Sequence, residues 1–169
     1  MSNDAWTPFH NIGHDIKVAR DNGAITAALI LTYAAMDAMA YLSMPENKKD
    51  VQGVDFINWV KKYMETDPKQ PYQYNGIDLW GARCGIIHRY GVTSSLSDNG
   101  ECNLLAYHNG SEHIYKPSVD KRLYALSWPR FINDFFGAMK KFIADIMKDE
   151  DLKKRVDKRI IDLFYVMPV

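Results

Sequence analysis

Residues 24–42 read AITAALILTYAAMDAMAYL, and this apolar run constrains the fold more than any other segment of the chain. A helix over these residues is apolar nearly all round, so it needs packing partners on several sides. Its length also suits a membrane span. However, Asp37 near its centre opposes insertion by roughly 2.5 to 3.5 kcal/mol, and the many alanines add little apolar drive. We therefore expect a buried core helix and no association with a membrane.

The size and charge of the chain limit the classes of protein that it can be. A length of 169 residues with 47% apolar side chains suits one well-buried core, so we expect a single domain over residues 1–169. The 21 basic residues balance the 21 acidic ones, so bulk charge attracts neither nucleic acid nor an anionic membrane. Any nucleic-acid site must be local.

The cysteines and histidines give no indication of a metal or a cofactor. Cys84 and Cys102 are the only cysteines, and the N-terminus lacks the basic and apolar regions of a secretory signal. We expect a reduced, cytoplasmic protein without a disulfide scaffold or a cysteine zinc site. His10 and His14 lie four apart, but no His-Glu-x-x-His pattern accompanies them, which favours surface or capping roles.

Hydrophobic periodicity predicts an all-α fold of five or six helices in an up-and-down bundle. Apolar residues recur at three and four over most of the chain, and the helices are predicted at residues 10–22, 24–42, 54–64, 77–90, 128–148 and 149–166. Residues 66–76, with two prolines and no periodicity, are predicted to form a loop.

Residues 93–127 break the helical pattern and predict a small β-hairpin insertion. Asn109 and Gly110 stand between two runs rich in aromatic and branched residues, which favours a two-residue turn. Such a turn pairs His108 with Ser111 and Tyr107 with Glu112.

One stretch of the fourth predicted helix, DLWGARCGIIHRYGV, contains Arg83, His88 and Tyr90. Their spacing resembles the Arg-x-x-x-x-His-x-Tyr signature of HEPN domains, small all-α proteins that include metal-independent ribonucleases and bacterial toxins. In that family a short amphipathic helix leads through a break into an alanine-rich core helix, and the signature follows on a later helix. The first ninety residues and the helix from Trp128 follow this pattern, although the match is one of pattern rather than continuous sequence.

The resemblance implies an endoribonuclease, as a toxin or defence component, with Arg83 and His88 as catalytic residues. Their chemistry suits phosphodiester cleavage, in which a 2′ hydroxyl attacks phosphorus and negative charge builds on the non-bridging oxygens. A guanidinium stays charged and can hold two phosphate oxygens, and an imidazole can accept and return a proton near neutral pH. The alternative is a non-catalytic helical binding module of the same fold.

The spacing of the pair imposes a geometric condition. Five residues at 100° each leave Arg83 and His88 about 140° apart around a regular helix, so they cannot share one narrow face. The resemblance to HEPN nucleases implies a solution to this problem. In those proteins two subunits bring their motif helices together, so that the site is assembled across a dimer groove. Long side chains near the helix end, with Gly81 and Gly85 allowing close backbone approach, could converge there. We therefore expect a homodimer.

Three further residues bear on the site. Asp37 lies in a core helix and must find a partner or stay protonated; Arg83 is the preferred partner, and Asp37 would either orient that arginine or only neutralise it. Cys84 stands where many active HEPN members have a polar residue. In some HEPN toxins a partner nucleotidyltransferase modifies the tyrosine of the signature with AMP, and the resemblance implies this regulatory role for Tyr90. The alternative is that Tyr90 is a packed or surface aromatic residue.

A basic run near the C-terminus, KKRVDKR, has two interpretations. Such a run usually forms a solvated helix face, but it could also give a local basic strip for RNA.

Overall fold

The computed structural model describes residues 6–65, 74–115, 118 and 120–163. Within this part of the chain there are seven α-helices, one 3-10 turn and three short strands. In chain order they are α1 Thr7–Asp21, α2 Ile25–Ser43, α3 Gly53–Tyr63, α4 Gly76–Arg89, α5 Ser95–Asp98, β1 Leu104–His108, β2 Ile114–Tyr115, β3 Leu123–Ser127, α6 Trp128–Ile146, α7 Glu150–Arg159 and the 3-10 turn Ile160–Asp162. Most of the predicted loop at 66–76, and the last residues of the predicted final helix, lie outside the described residues.

Helix α2 is the centre of the fold, as its composition predicts. It packs against α1, α3, α4, α6 and α7. Its buried positions include Tyr33, Met36 and Met39, none of which is exposed to solvent. Among the described helices α2 alone is long and apolar enough to cross a membrane, and half of its most apolar stretch is buried against the rest of the protein. A core helix has the same properties.

The segment between α4 and α6 is not the predicted hairpin, so the all-α class is corrected to a mostly helical fold with a small sheet. The strand order is β1-β3-β2, with β1 and β3 parallel and the two-residue β2 antiparallel to β3. His108 therefore pairs with Ser127 rather than Ser111. The polar groups of the supposed turn have other partners: the Gly110 amide donates to His108 Nδ1, and the Ser127 hydroxyl donates to the Gly110 carbonyl.

The start of α4 is anchored by reciprocal caps. The Asn75 side chain accepts from the amides of Ile77 and Asp78, and the Asp78 carboxylate accepts from the Asn75 amide. Asp78 also accepts from the Asn103 amide at 2.7 Å, just before β1. This buried carboxylate therefore joins the start of α4 to the sheet and sets the position of the helix.

The end of α4 is folded back tightly on itself. The Gly85 carbonyl accepts from the amides of Tyr90 and Gly91, and Tyr90 adopts a left-handed backbone with φ of 51°. A Cβ on Gly85 would lie 2.8 Å from the Thr93 carbonyl oxygen and 2.9 Å from that of Gly91. Glycine is thus required at position 85, because the returning chain occupies the space of a side chain.

The basic run in α7 contains one buried arginine and several exposed lysines. Arg159 is buried and donates to the carbonyls of Tyr41, in the last turn of α2, and of Met44, Pro45 and Lys48, which follow that helix. The neighbouring lysines form ion pairs within the chain: Lys153 with Asp157, Lys154 with Asp151 and Lys158 with Glu46. Arg159 therefore has a structural role, whereas the lysines belong to a solvated helix face and have acidic neighbours.

Candidate active site on helix α4

Arg83 projects from α4 toward α2, where it forms the predicted ion pair with Asp37. Its Nε and Nη2 atoms lie 2.7 Å and 2.6 Å from Asp37 Oδ2. The two side chains are 18% and 20% exposed, so the pair is shielded yet still reachable from solvent. Two contacts to one oxygen fix the orientation of the guanidinium.

The same guanidinium contacts His88, five residues later on the same helix. Arg83 Nη1 donates to His88 Nε2 over 2.8 Å. A guanidinium nitrogen can only donate, so Nε2 is the acceptor and the neutral ring carries its proton on Nδ1. His88 is exposed, so the ring is open to a ligand on its other side.

This contact overturns the expectation that the pair cannot meet on one helix. The separation of 140° describes the Cα positions, but the arginine side chain is long enough to turn along the helix surface toward its C-terminal end. A second subunit is therefore not needed to bring Arg83 and His88 together.

Trp80 stacks against the guanidinium of Arg83, a role that its sequence pattern alone did not predict. The Arg83 carbon Cζ lies 5.0 Å from the centre of the Trp80 ring, a distance suited to a cation–π interaction. A Cβ on Gly53 would lie 2.8 Å from Trp80 Nε1, so that glycine makes room for the ring. The sequence does contain a signal for this contact. Trp80 and Arg83 are at positions i and i+3 of the predicted helix, so their side chains lie on one helix face.

The electrostatics of Asp37 combine two opposed effects. Burial raises the pKa of Asp37 and is the larger effect, while the hydrogen bonds and charge of Arg83 act to lower it. Asp37 Oδ1 is buried without a hydrogen-bond partner in the described part of the chain. The carboxyl is thus held through Oδ2 alone.

Cys84 adjoins this site but does not provide a nucleophile. Burial raises the pKa of the Cys84 thiol, against a weaker lowering by Arg83, so the thiol is protonated at neutral pH. Burial also raises the pKa of Cys102, and both cysteines are free. Thiolate chemistry at this site is therefore disfavoured.

Tyr90 stands at the tip of the folded-back end of α4. Its side chain is 71% exposed, so it is a surface aromatic whose hydroxyl is accessible to a modifying enzyme. It lies at the rim of a groove of about 680 Å³ between α2, the end of α4 and β1, which Tyr107 and Trp128 also line. Both interpretations of Tyr90 fit this position.

The arrangement as a whole can bind an anion and move a proton. The guanidinium has five N–H donors, and the contacts to Asp37 and His88 use three, so two remain for a ligand such as phosphate. The neutral imidazole can accept a proton. Among the described residues there is no group of three or more histidine, cysteine, aspartate or glutamate side chains that could hold a metal ion.

Comparison with known proteins adds no further assignment. No family model, curated protein or solved structure matches this chain. The function must be inferred from the geometry of the site itself.

Proposed function

We propose that this protein is a HEPN-like, metal-independent endoribonuclease that acts at Arg83 and His88. The observation that carries the proposal is the 2.8 Å contact between Arg83 Nη1 and His88 Nε2, beside the ion pair of Arg83 with Asp37. The guanidinium of Arg83 lies next to the exposed imidazole of His88. This cleavage requires both groups, a cation to bind the phosphate and an imidazole to transfer the proton.

In the proposed reaction, the free N–H donors of Arg83 hold the non-bridging oxygens of the scissile phosphate. The exposed His88 ring then turns away from Nη1, and Nε2 becomes available as a base. His88 takes the proton of the 2′ hydroxyl as the bond from O2′ to phosphorus forms. The imidazolium returns a proton to the 5′ oxygen as the bond from phosphorus to that oxygen breaks. The products are a 2′,3′-cyclic phosphate and a free 5′ hydroxyl.

Within this proposal Asp37 and Trp80 are positioning residues. Asp37 holds one edge of the guanidinium and Trp80 lies under its plane, so the remaining edge is aimed at the ligand. Cys84 supports the packing beside Arg83 and takes no part in proton transfer.

The quaternary and biological context is part of the proposal. A homodimer would bring two α4 ends together, and the exposed Tyr90 and Val92, at 71% and 63% exposure, supply apolar surface for that contact. A toxin or defence role, with a nucleotidyltransferase partner that modifies Tyr90, follows from the resemblance to HEPN toxins and from the accessible hydroxyl.

Cleavage of a single-stranded RNA, with a chelator present, tests the proposed activity. We expect the wild-type protein to release a 2′,3′-cyclic phosphate and to leave a 2′-deoxy strand intact. The variants His88→Ala and Arg83→Lys should lose about a hundredfold or more in rate, since lysine keeps the charge of arginine but not its planar fork.

A matched variant separates loss of chemistry from loss of charge on the helix. Arg89→Ala removes an exposed arginine of α4 that pairs only loosely with Asp98, at 3.4 Å, and it should cleave at the wild-type rate. Equal cleavage by wild-type and His88→Ala protein, with both folded, would refute the assignment.

The second candidate is a non-catalytic binding module. The observation that favours it is the ion pair itself, since Asp37 neutralises much of the Arg83 charge. If no RNA is cleaved and His88→Ala behaves as wild type in cells, this reading replaces the nuclease.

A further inference from the structure

A basic groove of about 860 Å³ runs between α1 and α6, apart from the residues of the candidate active site. Every lining residue belongs to one of these two helices. Five of them are basic: His10, His14, Lys17, Arg20 and Lys140. We call this feature the α1/α6 groove.

The charge of the groove is one-sided, although the chain as a whole is neutral. No aspartate or glutamate is among its lining residues. Of the five basic residues, only Arg20 has an ion pair in the described part of the chain, with Asp21 at 2.8 Å. His10, His14, Lys17 and Lys140 are exposed. Concentrated positive charge in a concave surface attracts anions.

Helix periodicity explains how these side chains converge. His10, His14 and Lys17 are spaced by four and three residues, so they line one face of α1. Gly13 on that same face is buried, and a Cβ there would lie 3.8 Å from Met139 and 3.9 Å from Phe136, which are ordinary packing distances. Lys140 then adds a cation from the opposite wall.

The rest of the lining suits a nucleic acid better than a simple anion. Lys17 Nζ lies 5.6 Å from the centre of the half-buried Phe136 ring, so a cation and an aromatic ring lie side by side in the groove. Asn11 and Asn133 line the groove and offer amide groups that can hydrogen-bond bases or phosphates. Proteins that bind single strands combine basic groups along the backbone with aromatic stacking platforms.

We infer that the α1/α6 groove binds the phosphodiester backbone of single-stranded RNA, as a second anion site outside the candidate active site. The choice of RNA as the polyanion rests on the proposed function. The groove would hold the strand that the Arg83 site cleaves. It would thereby supply affinity that the neutral chain as a whole lacks.

The glycine on the floor of the groove allows a direct test. A Cβ on Gly137 meets nothing within 4 Å, so a side chain there enters the groove without a clash. Gly137→Glu places a carboxylate among the cations, and Gly137→Ala is the matched control. Val54→Glu adds the same charge on α3, at a position 53% exposed and outside the groove.

Binding should be measured with the full-length protein and a fluorescent single strand of about twelve nucleotides that carries 2′-O-methyl groups. This strand lacks the attacking hydroxyl, so binding is read without cleavage. We expect Gly137→Glu to weaken affinity about tenfold or more, and Gly137→Ala and Val54→Glu to bind as wild type. The double variant Lys17→Ala/Lys140→Ala should reduce the slope of log affinity against log salt by about 1.4.

Two results would overturn the inference. One is that Gly137→Glu and the double lysine variant bind the strand with the same affinity as the wild-type protein, or that none of these proteins binds it. The other is displacement of the strand by polyglutamate as effectively as by unlabelled RNA at equal charge, which would assign the groove to an acidic protein. Groove-dependent binding without any cleavage of unmodified RNA would instead count against the proposed nuclease while supporting the groove.

Discussion

Tyr90 is the one non-glycine residue with a positive φ among the residues that the structure describes. A bulky side chain in the left-handed region costs on the order of 1 kcal/mol relative to glycine, and its exposure of 71% means that little packing offsets this cost. A tyrosine that does not serve folding here is consistent with a role on the surface.

The strain at Tyr90 leads to a prediction about stability. Tyr90→Gly should raise the free energy of unfolding by about 1 kcal/mol, because glycine adopts this backbone conformation without strain. Tyr90→Ala removes the same side chain but keeps a Cβ, so it should gain much less. Urea unfolding of the three proteins measures both changes, and equal stabilities for the glycine and alanine variants would contradict the explanation.

The carboxyl of Asp37 leads to a prediction about pH. Burial raises the pKa of Asp37 above its value in the unfolded chain, so the folded state binds this proton more tightly than the unfolded state does. Its contribution to stability is therefore most favourable in acid, below the ordinary aspartate pKa, and falls as the pH rises through the raised pKa.

Asp37→Asn removes this titration. Between about pH 3 and pH 7, the difference in free energy of unfolding should shift in favour of the variant. Urea unfolding at several pH values checks the direction. The opposite slope would mean that attraction to Arg83 outweighs burial.

At the scale of elements, α4 is positioned by its glycines. A Cβ on Gly81 would collide with the Sγ of the buried Cys102, and one on Gly85 would collide with backbone oxygens. The helix can therefore lie close to the segment before β1 on one side and to its own returning chain on the other. This placement directs Arg83 toward α2.

The contact between Gly81 and Cys102 predicts coupled mutations. Gly81→Ala should destabilise the protein by about 1 to 3 kcal/mol through overpacking, despite the better helix propensity of alanine. Cys102→Ala vacates the space, so the double variant should be less destabilised than the sum of the single changes by about 1 kcal/mol. Thermal or urea unfolding gives the cycle, and simple additivity would show that the two positions do not compete for space.

At the scale of the whole molecule, one chain already holds Arg83 and His88 together. In a dimer with composite sites, each site would take its arginine and its histidine from different subunits. Mixing inactive Arg83→Ala and His88→Ala subunits would then restore about a quarter of the activity, because half of the dimers would carry one intact site out of two.

The intrachain contact predicts that this mixture stays inactive. The test needs both variants to be mixed under conditions that exchange subunits, with light scattering to follow the oligomer and RNA cleavage as the readout. Recovery of activity would show that catalysis uses a pair across the interface rather than the pair within one chain.

The helices were predictable from the sequence because their signals are local. The uniformly apolar run of α2 and the three-and-four spacing of α6 report the face that each helix buries, whatever the rest of the chain does. Asp37 and Arg83 could also be paired in advance, since a carboxylate in a core helix needs a cation. The strand order could not be predicted, because β1 pairs with β3 rather than with β2, the next strand in sequence. A turn-forming Asn109-Gly110 pair acts only on its neighbours in sequence.

The sequence by itself determined a helical protein built around α2, with an arginine and a histidine five residues apart near the end of a helix. Only the tertiary structure decided that the two side chains meet. Residue spacing reports the direction of each Cα, whereas the reach of a long side chain depends on what surrounds it. Here Trp80 lies under the guanidinium and Asp37 holds one of its edges, which leaves Nη1 against His88. The basic α1/α6 groove likewise required two helices distant in sequence to pack together, because the net charge of the chain is zero and reveals nothing about where its charges gather.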